Sequence, residues 1–79
     1  MVIESAKDLK VGSQYEVEQG FTAVPQGGTV EILRISPGTK VRYDGKLRDG
    51  SMEKLYVLSG QYRDRGILTR PDNLHYTLK

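Results

Sequence analysis

The stretch Thr29-Val30-Glu31-Ile32-Leu33-Arg34-Ile35-Ser36-Pro37-Gly38-Thr39-Lys40-Val41-Arg42-Tyr43 decides the fold. Its first half is mostly aliphatic and β-branched, and the run before Pro37 is too short for a helix of ordinary length. Pro37 and Gly38 occupy the second and third positions of Ser36–Thr39, the places a type II turn reserves for them. In the second half Val41 and Tyr43 alternate with Lys40 and Arg42, which sets one strand face on a core and the other in water. The expected unit is strand, turn, strand. Its register stays open. If paired positions sum to 75, Val30, Ile32 and Arg34 share a face with Val41 and Tyr43; if they sum to 74, Leu33 and Ile35 do, and Arg34, Lys40 and Arg42 line the outer face. A one-residue slip exchanges the faces. A type II turn matches strand twist poorly in a two-residue hairpin, so a longer loop is expected. In either register the first strand is apolar on both sides, as suits a central strand or one bending across a barrel corner at a bulge.

Toward the N-terminus lies the uncharged stretch 19–28, Gln-Gly-Phe-Thr-Ala-Val-Pro-Gln-Gly-Gly. Its three glycines and one proline predict a loop. Phe21 and Val24 either fold this loop over the core or make it a contact surface; the chain holds one Phe, and a small core needs it. Before the loop, Leu9, Val11, Tyr15 and Val17 fall on odd positions and Lys10, Gln14, Glu16 and Glu18 on even ones, a further strand pattern bent at Gly12 or broken there by a tight turn.

Toward the C-terminus, Asp44-Gly45 and Asp49-Gly50 are turn signals flanking the short arm Lys46-Leu47-Arg48. Residues 52–58 and 66–69 predict strands, with Ser59-Gly60 and the polar run 61–65 between them. Pro71-Asp72-Asn73-Leu74 suits a 3₁₀ turn, and Leu74, Tyr76 and Leu78 alternate into a closing strand.

The whole is 79 residues, one domain spanning 1–79, with 37% apolar residues and a net charge of +2. Nine glycines and three prolines cut it into pieces too short for helices, which makes the fold class all-β. There is no cysteine, so disulfides and Cys-ligated zinc are excluded; the one histidine, His75, excludes a His cluster. No metal and no cofactor are expected. No apolar run approaches the roughly 18 residues of a spanning helix, and residues 1–8 carry no secretory pattern. A soluble, cytoplasmic protein without a membrane partner is expected.

Two stretches resemble SH3-like barrels. Asp8-Leu9-x-Val11-Gly12-x-x-Tyr15-x-Val17 is similar to the opening of SH3 domains, and Gly66-Ile67-Leu68 followed by Pro71-Asp72-Asn73-Leu74 is similar to their closing motif, with two extra residues before the proline. Residues 28–45 resemble KOW and Tudor-type barrels in rhythm. The resemblance covers about a quarter of the chain and implies a small five- to six-stranded SH3-like barrel with a 3₁₀ turn before its last strand. The chain has no Trp, and its long loop carries no charge, so PxxP recognition is not expected. The KOW/Tudor side of the superfold implies binding of nucleic acid or protein tails.

Catalytic chemistry is not expected. No Gly-x-Ser-x-Gly is present, Gln26-Gly27-Gly28-Thr29 lacks the Gly-Lys-Ser/Thr of a phosphate loop, and Glu16 and Glu18 suit a solvated strand face. His75, three residues after Asp72, reads as an ordinary last-strand residue. A non-enzymatic binding module is expected: a protein-interaction adaptor, or a small inhibitor of the kind phages encode. It would use the 19–28 loop or an exposed sheet edge, with Phe21, Val24 and Tyr62 as contacts. It is expected to be monomeric, an edge-strand dimer being the variation. The alternative is nucleic-acid binding. Residues 1–33 balance to −3 and residues 34–79 to +5, and Arg34, Lys40, Arg42, Lys46, Arg48, Arg63 and Arg65 supply bases with tyrosines among them.

Overall fold

Six short strands make one antiparallel sheet in a computed structural model that describes residues 9–27 and 31–71. They are β1 (Gln14–Glu16), β2 (Phe21–Pro25), β3 (Leu33–Ile35), β4 (Lys40–Lys46), β5 (Glu53–Val57) and β6 (Gly66–Thr69). Their order across the sheet is β1-β4-β5-β6-β2-β3. β4, β5 and β6 follow one another as a meander, whereas the β1–β4 and β2–β6 pairings join distant parts of the chain. Among the described residues no ladder joins β1 to β3, and the six strands do not close into a barrel. No helix among the described residues is long and apolar enough to cross a membrane.

Alternation puts one face of every strand inward. Leu9, Val17, Phe21, Ala23, Leu33, Ile35, Val41, Tyr43, Leu55, Val57 and Ile67 form one buried cluster, against which Tyr15 and Tyr62 pack. The cluster draws on β3 at one edge and on Val17 beside β1 at the other. A single sheet achieves that only by curling its inner face onto itself.

The long strand–turn–strand unit expected at 29–43 does not form as a hairpin. β3 pairs with β2, Phe21 opposite Ile35 and Ala23 opposite Leu33, while β4 pairs with β1 and β5. The turn itself is as expected: Thr39 N–H donates to Ser36 O at 3.2 Å, and Gly38 has φ +89°. A type II turn splays the chains it joins, so Ser36–Thr39 acts as a corner between two parts of the sheet. Both candidate registers fall away, although Leu33 and Ile35 do share the core with Val41 and Tyr43. Of the described residues 31–36, only 33–35 are strand, and Ile32 is 68% exposed.

Two turn assignments also change. The expected loop at 19–28 contains β2, a strand held between β6 and β3. Phe21, Ala23 and Pro25 point inward in period two, a pattern obscured by the flanking glycines. Pro25 is tolerated as the last strand residue; the next bond there is Gln26 N–H to Gly66 O at 3.0 Å. Asp44-Gly45 is a bulge inside β4: the register shifts between Tyr43, opposite Leu55, and Gly45, opposite Lys54, and Gly45 has φ +98°. Asp49-Gly50 does turn the chain, closing the β4–β5 hairpin with Gly50 N–H on Leu47 O at 2.9 Å. Gly12 lies in a tight turn in which Ser13 N–H donates to Lys10 O. Pro71 has 3₁₀ backbone; residues 72–79, on which the rest of the expected 3₁₀ turn, the expected closing strand and His75 fall, lie outside the described residues.

Candidate interaction surface

The outer face of the sheet carries the side chains left over from the core. On β4 these are Lys40, Arg42 and Asp44, opposite Glu16 and Gln14 of β1 and Tyr56 of β5. Arg42 is held twice: its Nε donates to Asp44 Oδ1 at 2.8 Å, and its guanidinium lies 4.9 Å from the centroid of Tyr56, its cross-strand neighbour. The hydrogen bond and charge of Asp44 raise the Arg42 pKa above its usual value.

The bulge changes the stripe of bases. Strict alternation would set Lys46 beside Lys40 and Arg42. With one residue inserted at 44–45, Lys46 comes opposite Glu53 instead, its Nζ 3.7 Å from Glu53 Oε1. Arg63 pairs with Asp64 at 3.9 Å, and Arg65 with Glu31 at 3.6 Å while lying over the Tyr62 ring. Four of the seven candidate bases therefore lie within 4.0 Å of a carboxylate oxygen. Lys40 faces Glu16 in the ladder, and Arg48 is at the tip of the β4–β5 hairpin. By strand geometry Lys40 and Arg48 lie about 20 Å or more apart.

Of the candidate protein contacts, Phe21 is buried in the core, Val24 is half-buried on the outer face, and Tyr62 packs half-buried against the core. Residues 21–25 of the 19–28 stretch are thus strand rather than loop, and the Phe21 ring is buried. What remains open is edge strand. β3 has no strand on its far side among the described residues, and its outward side chain, Arg34, is exposed with no acidic partner among them. Two grooves meet along it. One runs past Arg34, Pro37, Ser59, Gln61 and Tyr62; the other past Arg34, Phe21, Thr22 and Pro37. A third, shallow and mostly apolar, is lined by Val24, Ile32, Met52 and Leu68 with Arg70 at its rim.

Sequence reasoning missed Glu53, the buried carboxylate. It is 0% exposed, and Tyr43 donates its hydroxyl to Oε2 at 2.5 Å. Oε1 accepts no hydrogen bond among the described residues and has only the Lys46 ammonium nearby. Burial first, and then the hydrogen bond and charge of Glu53, push the Tyr43 phenol well above its ordinary value. The signal was present: Glu53 shares strand parity with Leu55 and Val57. No group of three or more His, Asp or Glu among the described residues is placed to hold a metal ion.

No family model, curated protein or solved structure matches the chain.

Proposed function

We propose that this chain is a non-enzymatic interaction domain, a small β-fold of the SH3-like, KOW/Tudor-type kind, that binds another protein by accepting an extended segment along an exposed edge of its sheet. The observation that carries the reading is β3: a short strand that, among the described residues, is bonded on one side only, with an exposed arginine, grooves along its flanks and an apolar shelf beside it. An edge strand offers a row of backbone donors and acceptors that an extended partner satisfies, while side-chain pockets choose the partner. The distribution of bases weighs against the nucleic-acid alternative. Carboxylates neighbour Arg42, Lys46, Arg63 and Arg65, so their attraction for phosphates is diminished.

Affinity recovery from a lysate with and without nuclease tests the reading. One protein partner retained after nuclease supports it. Recovery of polynucleotide alone, or of proteins only while nucleic acid is intact, refutes it.

A further inference from the structure

Binding along a sheet edge leaves open which edge is used and what the partner looks like. Resting on that edge-binding reading, we infer that β3 is the docking edge and that its partner is an extended segment of another protein, with an acidic side chain placed beside Arg34 and an apolar one two residues away beside Ile32.

Parity sets this pattern. Leu33 and Ile35 point into the core, so Ile32 and Arg34 both point outward, two residues apart on the face that Thr22 and Val24 share. An added strand sets its own outward side chains directly beside these two. The Ile32 position continues onto the shelf of Val24, Leu68 and Met52, where an apolar side chain gains burial. The Arg34 position is electropositive. Among the described residues the three grooves flanking β3 are lined by Arg34 and Arg70 and by no acidic residue, and Glu31, the nearby acid in sequence, is paired with Arg65. Arg34 presents its guanidinium fork to whatever lies alongside, and a carboxylate matches it. A second copy of the chain is a poor occupant. Antiparallel β3–β3 pairing centred on Arg34 sets guanidinium against guanidinium, and like charges directly opposite destabilise a ladder.

The test uses the full chain, labelled with ¹⁵N, and two capped peptides. One is Thr-Val-Thr-Glu-Thr-Val-Thr-Glu, with Val and Glu on one face; the other has Lys for Glu. The Glu peptide is expected to shift the amides of residues 32–35 and 22–24, and to bind at least about fivefold more tightly than the Lys peptide. Arg34→Glu should reverse the order of the two peptides. Ile32→Ser should weaken both alike. Both residues are exposed, and an unchanged thermal melt confirms that each variant folds. Equal affinity for the two peptides, or an unchanged order in Arg34→Glu, overturns the acidic specificity. Shifts confined to β1 overturn the choice of edge while leaving edge binding standing. No binding of either peptide at about 2 mM overturns both. A dimer that dissociates on adding the Glu peptide supports β3 as the edge but replaces the foreign partner by a second copy, and so overturns the inference as stated.

Discussion

Tyr43→Phe removes a single oxygen from the interior. That oxygen is the only hydrogen-bond donor to the buried Glu53 carboxylate among the described residues; Oε1 already lacks one, and the Lys46 ammonium stands 3.7 Å away. Losing a buried hydrogen bond to a charged acceptor costs about 1.5–3 kcal/mol. With no second donor to take over, the upper part of that range is expected. For a domain of this size, 2 kcal/mol lowers Tm by roughly 8–16 °C. Glu53→Leu is also destabilising, by about 1–3 kcal/mol, because it strands the Tyr43 hydroxyl in the core. The double variant removes donor and acceptor together. Lys46, whose side chain is half exposed, then turns its ammonium to water. The pair is therefore expected to be more stable than either single variant, with a coupling of about 1–2 kcal/mol. The chain has no Trp, so urea unfolding is followed by far-ultraviolet circular dichroism and Tyr emission. Losses that add to within about 0.5 kcal/mol would show that the two side chains do not act on each other, and the account of this cluster would fail.

Three other outcomes are expected. Tyr43 has its pKa raised in the folded chain by burial, by the hydrogen bond to Glu53 and by that group's charge. The stability this contributes is complete below the unfolded phenol value of about 10 and is lost as pH rises toward the folded one. Urea melts from pH 8 to 12 should show an alkaline loss that shrinks in Tyr43→Phe. Asp49 is shifted the other way, held below its ordinary value first by the Ser51 backbone N–H and then by the Ser51 hydroxyl. Its contribution is present above the unfolded pKa and disappears as pH falls through the folded one. Ser51→Ala should move the Asp49 titration, read by NMR, only part of the way back, because the backbone donor remains. Gly38→Val should destabilise by about 1–2 kcal/mol. Open space surrounds the missing Cβ, so the cost is the φ of +89° alone, and Gly38→Asn should cost less in the same urea assay.

Some of the fold was legible in side-chain order. The alternation Lys40-Val41-Arg42-Tyr43, the run at 52–58 and the run at 66–69 all became strands close to where the pattern placed them. The Pro37-Gly38 and Asp49-Gly50 turns formed where their residues allow the backbone they need. These features are local: a strand's alternation and a turn's φ depend on a handful of neighbouring residues. The candidate site was less legible. Arg34 stood among seven candidate bases with nothing to single it out, since its exposure depends on which strands flank β3.

By itself the sequence determined that this is an all-β chain, where most of its strands run, and which residues of each strand share a face. Tertiary structure alone decided the partners. It set β3 against β2 rather than β4, drew residues 21–25 into the sheet, and used the bulge at 44–45 to carry Lys46 from the basic stripe to Glu53. The reason lies in how the core is assembled. Alternation needs only the pleat of one strand, but pairing is chosen by the sheet that buries all the inward faces at once. That choice rests on contacts such as β1 with β4 and β2 with β6, between residues far apart along the chain.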